Sequence, residues 1–363
     1  MGEKGPVTGM GRHGDRPLRG ALIGFGNAAA RAHLPAWEGN DDFRIVAVAE
    51  PDPERARLAA QLLPHADLYR ETGPLFCRND IDFVDICAPS GFHEELVKTA
   101  CRAGLHVLCE KPLVTSPGGL AMIDEANALG SVVFTVNNWK HAPLWVKTFQ
   151  LLSEGRIGIV RHVSLAVLRP PNSGGGLTDW RRRREIAGGG ILLDHGWHHL
   201  YVIRSLMNEA PETISAGMSY AGGVEETVTL TMTFRAAQAN VFLTWQGASR
   251  RNHGTIRGEK GEILIEDDHL ILLTDSPAVR HDFPEALSRT SHHPEWMEEV
   301  IKGFRREIID EEARGENLAE ARWCSRVTHL AYQSSREGSR PVRSDGLEEG
   351  FRESNAGSRT RFR

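Results

Sequence analysis

The stretch Arg19-Gly20-Ala21-Leu22-Ile23-Gly24-Phe25-Gly26-Asn27-Ala28-Ala29 decides the fold. A short apolar strand runs into Gly-x-Gly-x-x-Ala, and Ala30-Arg31-Ala32-His33-Leu34-Pro35-Ala36-Trp37 follows as a helix. Gly24 allows a tight turn, Gly26 lets a pyrophosphate approach the backbone, and Ala29 allows close helix–strand packing. The phosphates would sit on the helix N-terminus. Gly24, Phe25, Gly26, Asn27 and Ala28 are therefore the candidate cofactor turn. The next apolar strand, 44–49, ends at Glu50, where a carboxylate meets the ribose hydroxyls of an adenosine. Asp52 is a second candidate for that contact, and Arg55 keeps NADP open beside NAD.

The alternation continues outward from this unit. A helix is expected over 53–66, a strand over 82–87, a helix over 94–103, a strand over 104–109, a helix over 119–129 and a strand over 132–136. Strands alternating with helices predict a doubly wound parallel sheet with its ligand at the strands' C-terminal ends. Gly24, Glu50, Pro89 and Lys111 all fall just after expected strands, and His93 and Glu110 lie beside the last two.

Beyond Asn138 the pattern changes. A helix is expected over 144–154, a strand over 160–168, and a Gly/Pro-rich loop over 170–176. Strands over 227–234, 239–245, 255–257, 262–265 and 270–273 predict a second, α+β domain on a large, mainly antiparallel open sheet. Helices are expected over 292–307 and 317–335. The domain reading is a disordered leader (1–17), a Rossmann domain (18–140), a substrate-binding and oligomerisation domain (141–343) and a polar tail (344–363).

Between the strands of the second half stands Gly188-Gly189-Gly190-Ile191-Leu192-Leu193-Asp194-His195-Gly196-Trp197-His198-His199. On an α-helix Asp194 and His198, four apart, share one face, with Tyr201 and Ser205 continuing it. Leu192, Leu200, Ile203 and Met207 make the opposite, buried stripe. His195 and His199 repeat the four-residue spacing without a His-Glu-x-x-His pattern or a third ligand, so no metal site is expected.

Composition excludes other classes. At 363 residues, with 40% hydrophobic and 25% charged, the chain reads as an ordinary two-domain globular protein. A net charge of −5 with mixed signs gives no reason to expect a nucleic-acid or membrane partner. No apolar run reaches the ~20 residues of a membrane span. Five cysteines, an odd number without a Cys-x-x-Cys, fit a reduced, cytoplasmic protein.

At Glu110-Lys111-Pro112 the chain resembles the glucose–fructose oxidoreductase / inositol dehydrogenase (Gfo/Idh/MocA) family. The N-terminal half of the resemblance rests on Gly24-x-Gly26 with His33-Leu34-Pro35-Ala36, Pro89-x-x-x-His93 and Gly104-x-His106-Val107-x-x-Glu110-Lys111-Pro112. The C-terminal half rests on Gly155-x-Ile157-Gly158, Trp180-Arg181, the Gly188–His198 segment and Arg257-Gly258-x-x-Gly261. Ser335-Arg336-Glu337-Gly338 with Pro341-Val342 completes it. The resemblance implies an NAD(P)-dependent enzyme acting on a sugar, sugar derivative or cyclitol, assembled as a homodimer or homotetramer through the exposed sheet face. It also implies Lys111, Asp194 and His198 as the catalytic set. Tyr201 stands where the family often has an Asp.

In that chemistry an imidazole, ordinarily titrating near ~6.5, suits proton transfer to and from a secondary alcohol. His198 is then the acid/base, Asp194 orients it or binds a hydroxyl, and the Lys111 ammonium stabilises developing alkoxide charge. Trp139, Trp180, Arg181, His195 and His199 are candidate substrate contacts. Two other functions stay open at this point. One is a hydrolase or lyase using transient NAD-dependent oxidation; the other is a non-catalytic NAD-binding sensor.

Overall fold

Strand runs punctuated by glycine and proline pair into two sheets in a computed structural model, which describes residues 16–171, 179–289 and 292–347. The expected leader up to residue 15, most of the expected 170–176 loop, and the expected tail from residue 348 lie outside the described residues.

The first sheet has six strands: β1 (Leu18–Ile23), β2 (Phe43–Ala49), β3 (Asp67–Tyr69), β4 (Phe83–Ile86), β5 (His106–Cys109) and β6 (Val133–Thr135). Its order is β3-β2-β1-β4-β5-β6 and every pairing is parallel. This is the order of a dinucleotide-binding Rossmann sheet, with the reversal between β1 and β4. The apolar runs fill it because both faces are covered, and β4 is buried at all four positions. The helix after β2, Pro53–Leu62, starts where its sequence directs: Pro53 is the first helical residue, and Asp52 accepts the N–H groups of Glu54 and Arg55 at 3.0 Å each. Asp52, a second candidate for the ribose, is thus a helix cap.

The second sheet has nine strands. They are β7 (Val160–Leu168), β8 (Thr213–Ala221), β9 (Val224–Thr233), β10 (Gln238–Thr244), β11 (Arg251–Gly258), β12 (Gly261–Glu266), β13 (His269–Thr274), β14 (Val279–Asp282) and β15 (Val342–Arg343). The order is β14-β13-β12-β11-β7-β10-β9-β8-β15, antiparallel except for the parallel β7–β10 pair. Burial alternates along β7, so one face is covered and the other is partly open. The helix Trp197–Met207 lies in the connection from β7 to β8 and packs on the covered face.

Contacts divide the chain into two compact units. The first holds the described residues up to Leu113, with Gly118–Val136 and His292–Leu318. The second holds Val114–Pro117, with the described residues of 137–291 and those from Ala319 onward. The helix Pro294–Ile309 thus enters the first core despite its late place in the chain. Phe304 packs on Phe83 and Phe134 with ring centroids 5.8 and 5.9 Å apart, inside a cluster that also holds Trp37 and Phe43.

Candidate active site

The glycine turn of the first unit has the shape its sequence announces. Gly24 has φ +87°, and a Cβ there would meet the Ala88 backbone nitrogen at 2.9 Å, so the turn excludes a side chain twice over. At Gly26 a Cβ would meet nothing nearer than Arg55 Nη1 at 4.0 Å, which leaves the backbone open to a ligand. These residues fit a dinucleotide pyrophosphate. Asn27 is exposed and Ala28 half-buried at the same turn. Phe25 turns its ring into the core and donates its N–H to Glu50 Oε2 at 2.5 Å.

Glu50 is buried, and its Oε1 accepts the Asp52 N–H at 2.9 Å. Its carboxylate therefore braces the glycine turn from the end of β2. Beyond β4, Pro89 opens the short turn Ser90–Phe92. His93 is 1% exposed, with Nδ1 2.8 Å from the Pro112 carbonyl oxygen and Nε2 2.8 Å from that of Ala88. Burial lowers its pKa against these carbonyl bonds. The ring clasps the turns after β4 and β5 together. Glu110 Oε2 accepts the Lys111 N–H at 3.1 Å, so the carboxylate shapes the turn that carries the lysine.

In the second unit, the local winding differs from the expected α-helix. Leu192–Gly196 is a π-helical turn that continues into the α-helix Trp197–Met207. The wider i→i+5 winding breaks the i,i+4 alignment on which the Asp194–His198 pairing rested. Asp194 instead has Oδ1 3.7 Å from Arg181 Nε and Oδ2 3.5 Å from His195 Nε2. His198 lies flat on Trp139, with centroids 4.7 Å apart and planes at 12°. Its Nδ1 is 2.8 Å from the Tyr201 hydroxyl, which also accepts the Trp139 N–H at 2.9 Å. The helix is also not two-faced. Tyr201, expected on the open face, is fully buried, as are Leu200, Val202 and Ile203, because the helix is enclosed on most sides.

The other candidates divide. Arg181 stacks its guanidinium 4.6 Å from the Trp180 ring centroid and pairs with Asp179 at 3.2 Å. His199 is 2% exposed; its Nδ1 lies 3.1 Å from the His195 carbonyl oxygen. Burial, aided by the Arg169 charge, pulls its pKa down to about 4, so its imidazole is neutral.

Three groups escaped the sequence reading. Glu225, in β9, is 1% exposed, and its Oε1 accepts Gly190 N–H at 2.8 Å, Leu192 N–H at 3.2 Å and Tyr332 O–H at 2.8 Å. It caps the helix start. Gly190 is needed there because a Cβ would meet the Glu225 carbonyl oxygen at 2.1 Å. Arg169, just past β7, is buried and donates to the Leu168 and Arg251 carbonyls and to Asn252 Oδ1; burial and Arg250 pull its pKa down to about 10. Glu320 is buried and accepts Lys140 Nζ and Asn137 Nδ2, each at 2.7 Å, while Asn137 Oδ1 accepts the Trp197 indole N–H at 3.0 Å. None of the three could be paired from local spacing, since every partner but the Leu168 carbonyl lies far away in the chain.

Glu225→Ala would leave three buried donors without their acceptor, each worth about 1–3 kcal/mol. Burial raises the Glu225 pKa, so Glu225→Gln is the closer mimic and should melt near the wild type. Thermal denaturation should place Glu225→Ala well below Glu225→Gln; equal melting would remove the capping role.

Residues 18–138 match the sequence model described as the oxidoreductase family, NAD-binding Rossmann fold. Residues 145–264 match that of the GFO/IDH/MocA C-terminal domain. The chain is 34% identical over 142 residues to a D-apiose dehydrogenase of Paraburkholderia graminis, covering 39% of this chain and 38% of that protein. It is 30% identical over 187 residues to a D-glucoside 3-dehydrogenase of Escherichia coli, covering 51% and 52%. The matches thus span about half or less of these curated relatives. The structure of a levoglucosan dehydrogenase in complex with NADH and levoglucosan superposes with a TM-score of 0.77 at 22% identity, covering 91% of this chain and 100% of that one.

Proposed function

The chain belongs to the Gfo/Idh/MocA family of oxidoreductases, and from that premise we propose that it is an NAD(P)-dependent dehydrogenase or reductase acting on a secondary alcohol or ketone of a sugar, sugar derivative or cyclitol. The observation that carries this reading is the mounting of His198. Its ring is stacked on Trp139 with Nδ1 at hydrogen-bond distance from the Tyr201 hydroxyl, a fixed mounting that supports proton exchange at Nε2. The curated relatives, named as dehydrogenases of a pentose and of a glucoside, support a carbohydrate substrate.

The nicotinamide, when bound, accepts or supplies the hydride. Gly24 and Gly26 open the backbone to its pyrophosphate, and Glu50 stands where a ribose would lie. In oxidation His198 Nε2 takes the hydroxyl proton, and in reduction it returns that proton. Lys111 Nζ hydrogen-bonds the reacting oxygen and stabilises its developing charge. Asp194, beside Arg181 and His195, binds a substrate hydroxyl, with Trp139, Trp180, Arg181 and His195 around the ring.

We further assign a homodimer or homotetramer formed through the partly open face of the nine-stranded sheet. Phe242 of the interior strand β10 is 39% exposed there. Cytoplasmic residence fits five free cysteines. No helix among the described residues is long and apolar enough to cross a membrane.

The test is a panel of sugars, sugar derivatives and cyclitols offered with NAD and with NADP, read by nicotinamide absorbance. Net cofactor reduction with one of them is expected. Product formed without net reduction would replace this reading by hydrolysis or elimination through transient oxidation. Cofactor binding with no turnover across the panel would replace it by an NAD-binding sensor.

A further inference from the structure

A chain of charge runs from β4 to the Glu110-Lys111 turn of the Rossmann unit, and two of its members, His33 and Asp85, have no part in the assignments above. His33 ends the π-helical turn Ala29–His33 and is fully buried. Its Nδ1 lies 2.8 Å from Asp85 Oδ2, and its Nε2 lies 3.0 Å from Glu110 Oε1. Asp85 sits within β4, next to β1 at the centre of the sheet, and is itself fully buried; its Oδ2 also accepts the Trp37 indole N–H at 2.7 Å. Glu110 closes the chain by accepting the Lys111 N–H on its other oxygen.

An ionised carboxylate in the middle of a buried sheet is costly unless it is paired. A neutral imidazole has one N–H to donate. Here both ring nitrogens face carboxylate oxygens at hydrogen-bond distance, and only the imidazolium serves both. Donor count alone asks the same of His93, whose ring nitrogens both face carbonyl oxygens; what sets His33 apart is that its two acceptors carry negative charge that offsets the burial of an imidazolium, whereas burial lowers the pKa of His93.

We propose that His33 is a protonated positioning residue, bridging Asp85 of the sheet to Glu110 so that the Glu110-Lys111 turn holds the lysine in place for the substrate oxygen. The functional half of this rests on the assignment of Lys111 made above. The charge half stands on the Rossmann unit alone.

The surrounding groups agree. Burial works against the His33 charge, but the Asp85 carboxylate beside Nδ1 raises its pKa well above the ordinary value. Burial alone would raise Glu110, yet His33, by hydrogen bond and charge, and Lys111 lower it from the ordinary carboxylate value. Cys87 is pushed up to about 12 by burial and by Asp85, so it faces the cluster as a neutral thiol. The linkage has a definite sign. The His33 contribution is fully present below the imidazole's unfolded pKa of about 6.5 and is lost only as pH rises through its raised folded value. The Glu110 contribution is present above its unfolded value of about 4.3 and is lost as pH falls through its lowered folded value. The bridge is therefore whole across neutral pH.

Two measurements test the proposal. Long-range proton–nitrogen NMR of the full chain, labelled with ¹⁵N in the histidine rings and assigned by the signals lost in His33→Gln, reports ring protonation directly. Both His33 nitrogens should show imidazolium shifts at a pH well above an ordinary histidine's titration, while His93 shows the neutral pattern. A neutral His33 tautomer at that pH overturns the proposal. The second measurement compares His33→Gln with wild type on an active sugar. A kcat loss of roughly 10²-fold is expected, the cost of misplacing a reacting group by about an ångström. The fluorescence-measured affinity for the reduced cofactor should stay within a few-fold. Wild-type kcat in His33→Gln, alongside an inactive Lys111→Met, overturns the positioning role and spares the Lys111 reading. An active Lys111→Met overturns that reading and leaves the NMR result to decide the charge.

Discussion

His198→Gln should lower kcat by about 10²–10⁴-fold, the usual worth of a positioned acid/base group. Glutamine is preferred to alanine because the imidazole fills the space against Trp139, and a flat amide retains much of that contact. The loss should appear in kcat and kcat/KM together, because the missing interaction belongs to proton transfer rather than to substrate binding. Affinity for the reduced cofactor, measured by fluorescence titration, should stay within a few-fold, since the glycine turn and Glu50 are untouched. If His198→Gln turns over an active sugar within a few-fold of wild type, proton transfer belongs to another group, and Tyr201, hydrogen-bonded to the same ring, is the first to examine.

Lys111→Met should cost about 10²–10³-fold in kcat, as does removal of one donor aimed at a developing oxyanion. Methionine keeps most of the length and apolar stem of the side chain and removes the ammonium. The turn itself should survive, because Glu110 accepts the backbone N–H of residue 111, which the substitution leaves in place. Unchanged melting with a collapsed kcat is therefore the expected result. A large rise in KM with kcat preserved would instead assign Lys111 to ground-state binding. Lys111→Arg should not restore full activity, because the guanidinium is a planar fork rather than a compact point charge.

Much of this protein is legible from its residues in order. The Gly24 turn, Asp52 with Pro53, and the apolar runs that became β1, β2, β4 and β5 act over a few residues, and there the structure follows the sequence closely. The strand β7 has the expected bounds because a Val- and Leu-rich run is set between Gly158 and Pro170, and burial alternates along it once the sheet forms. Harder to read were β3, β8 and β14. β3 is three residues long and carries no buried position, while β14 is an edge strand and largely exposed. Neither has the apolar periodicity that marks a strand.

The site divides along the same line. Residue order dictates which chemical groups are present and roughly where: a glycine turn at a strand's end, carboxylates and a lysine at neighbouring strand ends, and an Asp and a His on one helical segment. Those follow from residue type and local periodicity. How the groups pair depends on the packing of elements distant in the chain. The π turn at Leu192–Gly196 sends Asp194 toward Arg181 and His195, and His198 toward Trp139 and Tyr201. The π turn at Ala29–His33 ends at the histidine that lies between Asp85 and Glu110. A π turn gives up regular helical spacing, and what holds it is packing and hydrogen bonding to distant partners such as Glu225 and Asp85. Those partners become neighbours only when the sheets form, which is why no local pattern announced them.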